Sequence, residues 1–214
     1  MPGEAMRCFW SAKGGSGASV VAAAAALASE SETLLVDLCG DQPAILAQPE
    51  DELGITDWLD AGVDAAPDAL RRLETSVTPR LSLLRFGTNK HITADRIELL
   101  ASLLAQDQRN VIVDAGTEAS ELSSLLCEAA TESLLVLRPC YLALRRAKQH
   151  PRRATAVVLV SEPGRTLRAK DVSAVLGLPV LVEVDWDTAV ARAVDAGLLV
   201  TRLPRSLGKP LAVL

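Results

Sequence analysis

Aromatic side chains are scarce in this chain: two Phe, one Tyr and three Trp make up 3% of its 214 residues. A core with so few rings is filled by Ala, Leu and Val, which suits helices packed on Val/Leu strands rather than a β-sandwich. Histidine is scarcer still, with two residues, and the four cysteines (Cys8, Cys39, Cys127, Cys140) form no C-x-x-C and no close pair. That pattern speaks against a zinc site and does not resemble a secreted disulfide framework. The start lacks a basic segment followed by a long apolar run, so no signal peptide is expected. The longest apolar stretch, Val20–Ala28, falls far short of the ~20 residues a spanning helix needs. A soluble protein of a reducing cytoplasm is the expectation.

Internal repeats and low-complexity linkers are also missing. With 49% hydrophobic and 23% charged residues, the composition excludes disorder as the main state. The length suits one large domain, read as residues 1–214 with a core over 6–200 and a short tail over 201–214. A net charge of -5 argues against a whole-surface nucleic-acid binder. The charge is nevertheless uneven: Asp41 to Glu74 holds nine acidic and two basic residues, Arg138 to Lys170 nine basic and one acidic. Such blocks are either solvated faces or docking surfaces.

What is present is a regular alternation. Arg7–Trp10, Thr33–Asp37, Leu81–Phe86, Asn110–Asp114, Ser133–Leu137, Ala154–Val160 and Val180–Val184 read as strands, mostly continuous apolar runs of the kind covered on both faces. Between them, Ala18–Ser29, Thr93–Leu104 (capped by Thr93), Glu118–Ala130, Ala143–Gln149, Ala169–Leu176 and Thr188–Ala196 read as helices. The fold class is α/β: a doubly wound, mostly parallel sheet of about seven strands with helices on both faces.

The most informative stretch is residues 7–20, R-C-F-W-S-A-K-G-G-S-G-A-S-V, in which a strand runs through a glycine-rich turn into a helix. Such a turn aims backbone N–H groups and the positive helix end at one point, which is how a chain holds a phosphate. K-G-G-S-G-A-S resembles the deviant phosphate loop K-G-G-x-G-K-[ST] of the ParA/MinD family of partitioning and positioning ATPases. Leu34–Asp37 resembles that family's second strand, Val111–Asp114 its Walker B strand, and Leu135–Pro139 its strand-Pro-helix segment. The stretch from Gly177 to Gly197, with Glu183-Val-Asp-Trp-Asp inside it, looks most like the pilus-localising CpaE/TadZ branch. The likeness covers roughly residues 6–200 in order, though no single motif is complete. It implies a P-loop fold and ATP or ADP with magnesium, or none if the site is degenerate. Lys13, Gly14, Gly15, Ser16, Gly17, Ala18 and Ser19 would surround the nucleotide, and Ser19, Asp37 and Asp114 the metal. Lys13 matches the signature lysine that acts across a dimer interface, and is the catalytic candidate of an active enzyme.

Three positions depart from the family. Ala18 replaces the lysine that reaches the β- and γ-phosphates. A hydrogen bond to a charged group is worth ~1.5–3 kcal/mol, so its loss weakens binding about ten- to a hundredfold. Phosphoryl transfer, which depends on stabilising charge on the transferred group, suffers more. Cys39 stands where members often carry a water-orienting Asp, with Asp41 nearby, and Val160-Ser161-Glu162 lacks the Asn that commonly reads adenine.

The remaining candidates have plainer readings. His91 and His150 read as solvated, Cys39 as a small filler, and Trp10 as core. Pro204 and Pro210 are expected to break any amphipathic membrane helix in the tail. The run Arg145, Arg146, Lys148, Arg152, Arg153 reads as a docking face for an acidic partner, or for DNA through its phosphates. The resemblance with its departures implies a cytoplasmic, homodimeric scaffold with weak or absent ATP hydrolysis. It would mark a pole or membrane-associated complex, or recruit a pilus or secretion machine, through protein partners. An active positioning ATPase using Lys13 and a non-specific DNA-binding partitioning factor stay open as alternatives.

Overall fold

The computed structural model describes residues 5–50, 52–61, 67–88 and 96–214. Its centre is β1 (Met6–Trp10), which leads through the glycine-rich turn into α1 (Ala18–Ala28). Then come β2 (Thr33–Asp37), three short helices α2 (Gln42–Ile45), α3 (Ile55–Asp60) and α4 (Pro67–Arg71), and the strands β3 (Glu74–Thr78) and β4 (Leu81–Leu84). Alternation resumes with α5 (Ile97–Ala105), β5 (Asn110–Asp114), α6 (Glu121–Ala129), β6 (Glu132–Leu137), α7 (Tyr141–Gln149), β7 (Ala156–Ser161), α8 (Ala169–Leu176), β8 (Val180–Asp185), α9 (Thr188–Asp195) and α10 (Arg205–Leu211).

The strands form one eight-stranded sheet in the order β3-β4-β2-β5-β1-β6-β7-β8, parallel except for the antiparallel β3–β4 pair. The sequence reading expected about seven strands and missed β3. Glu-Thr-Ser-Val-Thr is half-buried at an edge and offers no apolar run to find. The central strands are buried on both sides, and their period of two sorts Cys8, Trp10, Leu34 and Val36 to one face and Phe9, Leu35 and Ile112 to the other. The first face is covered by a layer that includes α3, α5, α6 and α7, the second by α1, α9 and α10. In α1, Ala22, Ala23 and Ala24 are fully buried, and their small side chains let the helix lie close to the sheet.

Two sequence expectations are corrected here. The tail does form a helix: α10 starts after Pro204, keeps Pro210 inside its last turn, and buries Leu207 and Leu211 in the α1 layer. With Pro204 before the first turn and only seven residues of helix, the two prolines remove few hydrogen bonds. Its apolar residues face the core, so they are not a membrane-facing stripe. Cys8 on β1 and Cys127 on α6 are paired in a disulfide across 119 residues of sequence, where spacing showed no pair. Cys39 and Cys140 are free. The Thr93 cap and His91 lie outside the described residues. No helix among the described residues is long and apolar enough to cross a membrane.

Candidate functional site

Parallel strands end together, and β1, β2 and β5 deliver their following loops to one edge of the sheet. There the turn after β1 opens into a cleft of about 870 Å³ lined by Lys13 to Val20, Cys39, Asp41 and the loop Ala115–Glu118. All seven residues expected to surround a nucleotide therefore line one cavity. Gly15 and Gly17 sit at φ 77° and 88°, conformations that side-chain-bearing residues rarely adopt, and nothing lies within 4 Å of where a Cβ on either would point. Gly17 caps α1, its carbonyl accepting the first helical N–H, that of Val21, at 2.9 Å. Ser11 and Ser16 fix the turn from below: each hydroxyl donates to the Lys13 carbonyl, at 3.0 and 2.8 Å.

Cations are sparse in this cleft. Ala18, the first residue of α1, is buried and carries none. Among the described residues Lys13 Nζ reaches only the Gly14 carbonyl, at 3.3 Å. A cation that the sequence reading did not single out stands beside the turn. Arg138, at the end of β6, donates from Nη1 to the Gly15 carbonyl at 3.3 Å, pairs with Glu162 at 2.9 Å and lies 4.3 Å above the Trp186 ring. Glu162 follows β7 where the family pattern suggested an adenine-reading Asn, so that flank holds an ion pair on an aromatic face. No sequence rule links residues 15, 138, 162 and 186; only the strand order brings them together.

Below the turn, Asp37 and Asp114 are register partners at the ends of β2 and β5, and both are fully buried. Asp37 Oδ1 accepts from the N–H groups of Cys39 and Gly40, both at 2.9 Å, and Oδ2 from that of Gln42 at 3.1 Å. Asp114 accepts from Gly116 N at 3.2 Å, from the Ser19 hydroxyl, and from Gln42 Nε2 at 2.7 Å. The same Gln42 amide donates to the Ser19 carbonyl at 2.9 Å, so a fully buried side chain ties α1, β5 and the loop after β2 together. The sequence reading missed Gln42, which has no chemistry visible in isolation.

Burial raises the Asp37 pKa to about 6, opposed by its backbone N–H donors and helped by the Asp114 charge. Burial likewise raises Asp114. Burial pushes the Cys39 thiol pKa far up, and the carboxylates of Asp114, Asp37 and Asp41 push it the same way. The ligand atoms of Asp37, Cys39 and Asp114 lie within 4.8 Å of one another. The turn over Gly14–Ser19 is open toward the cleft, with nothing within 4 Å of a Cβ built on Gly14, Gly15 or Gly17, so a phosphate would have room against its backbone. A magnesium ion would meet Ser19, Asp37 and Asp114, whose acceptor atoms are already engaged by the chain's own donors. The donor set therefore matches the phosphates better than the metal.

The basic run divides. Arg145, Arg146, Lys148 and Arg153 are exposed. Arg152 is not a docking residue: it is 7% exposed, donates to the carbonyls of Ala115 (3.2 Å) and Glu118 and to the Ser123 hydroxyl, and thereby holds the loop that forms one wall of the cleft. Beside it His150 is half-buried rather than solvated, its ring 4.6 Å from that of Trp10 and its Nδ1 accepting from the Arg152 N–H. Trp10 is core, with Nε1 donating to Ser133 Oγ at 2.9 Å.

The sheet order, the turn after β1 and the paired carboxylates define the fold of the ParA/MinD P-loop ATPases. Solved structures agree on that fold. A ParA family ATPase from Chlorobium tepidum is 22% identical with a TM-score of 0.80, over 100% of this chain and 98% of that one. MinD from Pyrococcus horikoshii, complexed with Mg-ADP, is 14% identical with a TM-score of 0.77, over 98% and 93%. A plasmid partition protein from Borrelia burgdorferi bound to AMPPNP is 13% identical with a TM-score of 0.72, over 97% and 96%. No family profile matches the chain, and no curated protein matches it by sequence.

Proposed function

We propose that this chain is a ParA/MinD-like positioning or assembly scaffold that binds ATP or ADP weakly and hydrolyses it slowly or not at all. The observation that carries the reading is Ala18. The phosphate cradle is intact in its backbone, yet the first residue of α1 supplies no cation and Lys13 is turned onto its own turn. Transfer of a phosphoryl group without a fixed positive charge on it loses most of its catalysis. The solved structures that share the fold include proteins complexed with Mg-ADP and AMPPNP, which supports a nucleotide as the ligand class here. The scaffold would work as a homodimer, recruited from the cytoplasm to a pole or membrane-associated complex by protein partners. The Gly177–Gly197 stretch favours a pilus or secretion machine of the CpaE/TadZ kind.

The second reading, an active ATPase, is favoured by the presence of Lys13 on the cleft wall. Turnover of Mg-ATP by the wild type and Lys13→Ala separates the two. The scaffold reading expects equal, near-background rates. A wild-type rate abolished by Lys13→Ala would replace it with the ATPase reading. DNA binding through Arg145, Arg146, Lys148 and Arg153 remains the third reading, carried by their exposure.

A further inference from the structure

Arg85, the residue after β4, is 2% exposed, yet only one of its three guanidinium nitrogens is engaged. Nη1 donates to the Glu52 carboxylate, while the buried Nε and Nη2 meet no acceptor. A buried charge with N–H groups left over is costly, and burial lowers the Arg85 pKa. Nε and Nη2 share one edge of the planar group, the fork that takes a carboxylate through two parallel hydrogen bonds.

The Glu52 side chain is 48% exposed, and its carboxylate makes no other hydrogen bond among the described residues. Backbone bonds hold the neighbouring segment to the end of β4: Ile55 N donates to the Arg85 carbonyl at 2.9 Å and Thr56 N to that of Phe86 at 2.8 Å. The Glu52 side chain is therefore free to turn to solvent without detaching that segment. It is also one wall of a cavity of about 390 Å³, completed by Leu53, Arg72, Leu73, Glu74 and Thr75. This cavity shares no residue with the cleft after β1. Arg72 is exposed and in no ion pair among the described residues. Glu74 is paired through both oxygens with Arg109, at 2.7 and 2.9 Å, so its charge is compensated.

We propose that this cavity binds a small aliphatic carboxylate, with Arg85 as the buried anchor, Arg72 as the rim cation and Glu52 as a tethered carboxylate that the ligand displaces. Glu52 already shows which chemical group the anchor accepts. It engages a single nitrogen, whereas a free carboxylate on the fork gains two bonds and leaves Glu52 to water. Turning Glu52 outward opens the cavity onto Arg85, and Leu53 and Leu73 then cover the aliphatic part of the ligand. The volume lies at the small end of the range for ligand pockets. The site needs no nucleotide and stands whether or not the cleft after β1 binds one.

Titration of the full chain with 4-methylpentanoate, followed by NMR of the arginine Nε–H groups, tests this. The Arg85 resonance, identified by its loss in Arg85→Lys, is expected to shift saturably at millimolar ligand, and 4-methylpentanamide is expected to leave it in place. Glu52→Gln keeps the shape of the tethered group and removes its charge, so it should bind the acid about tenfold more tightly. Arg72→Ala should weaken binding about two- to fivefold, as loss of an exposed ion pair does. Arg85→Lys presents a point charge in place of the fork and should lose about tenfold or more, read from the ligand-induced rise in thermal midpoint. Glu52 and Arg72 have exposed side chains, and unchanged midpoints without ligand show that those two variants fold. Should Arg85→Lys fail to fold, they decide the matter alone. An Arg85 resonance that stays still in both wild type and Glu52→Gln overturns the proposal, as does equal affinity of the two for the acid. Inorganic phosphate that shifts this resonance where the acid does not would also overturn it, and would assign the fork to a phosphate.

Discussion

Arg152 and Arg153 are neighbours in sequence and opposites in the fold, which makes the pair a sensitive probe of the structure. The Arg152 guanidinium reaches two carbonyls, of Ala115 and Glu118, and the Ser123 hydroxyl, while Arg153 is exposed. Arg152→Ala leaves those three acceptors in a buried setting, each at ~1–3 kcal/mol when unsatisfied. The variant regains part of that by no longer burying a charge, so a net loss of about 3–5 kcal/mol is expected. For a chain of this size each kcal/mol moves the midpoint by ~2–4 °C, so thermal unfolding should shift down by about 6–20 °C. Arg153→Ala should stay within ~0.5 kcal/mol, as exposed substitutions do. Urea denaturation followed by tryptophan fluorescence reads both. Equal effects for the two variants would refute the assignment of Arg152 to the wall of the cleft and restore it to the surface.

Other outcomes follow from the same contacts. Asp37 holds its proton to about pH 6, whereas the unfolded chain releases it near 3.8. The stabilisation from that proton is fully present below about pH 4 and is lost as pH rises through 6, a change of about 3 kcal/mol from this group. A carboxyl-carbon NMR titration should place the Asp37 midpoint near 6, and a midpoint at or below 4 would remove the effect. Leu211, 1% exposed, anchors α10 against α1. Leu211→Ala should cost ~2–5 kcal/mol in denaturant unfolding, and a loss under ~0.5 kcal/mol would mean that the tail is not docked.

The inner strands were legible because burial on both faces writes itself as apolar runs. β2 and β5 begin and end where Thr33–Asp37 and Asn110–Asp114 place them. β3 was not legible, since an edge strand with polar faces has no such run. Nor was α10, because proline rules describe helix interiors and this helix is short enough to tolerate both residues. Of the site, the turn after β1 and the two strand-end aspartates are sequence features with fixed spacing, and the fold brings them to one cleft. Gln42, Arg138 and the inward turn of Arg152 depend on contacts between residues 23 to 123 positions apart, which no local pattern encodes.

The central claim is that an intact backbone cradle lacks its cation at Ala18. Calorimetric titration of Mg-ATP into the wild type and Ala18→Lys tests it most directly. The account predicts weak binding by the wild type and an affinity about ten- to a hundredfold higher in Ala18→Lys, the equivalent of one charge-assisted hydrogen bond. Tight binding by the wild type, unchanged in Ala18→Lys, would contradict it and show that the cleft finds its positive charge elsewhere.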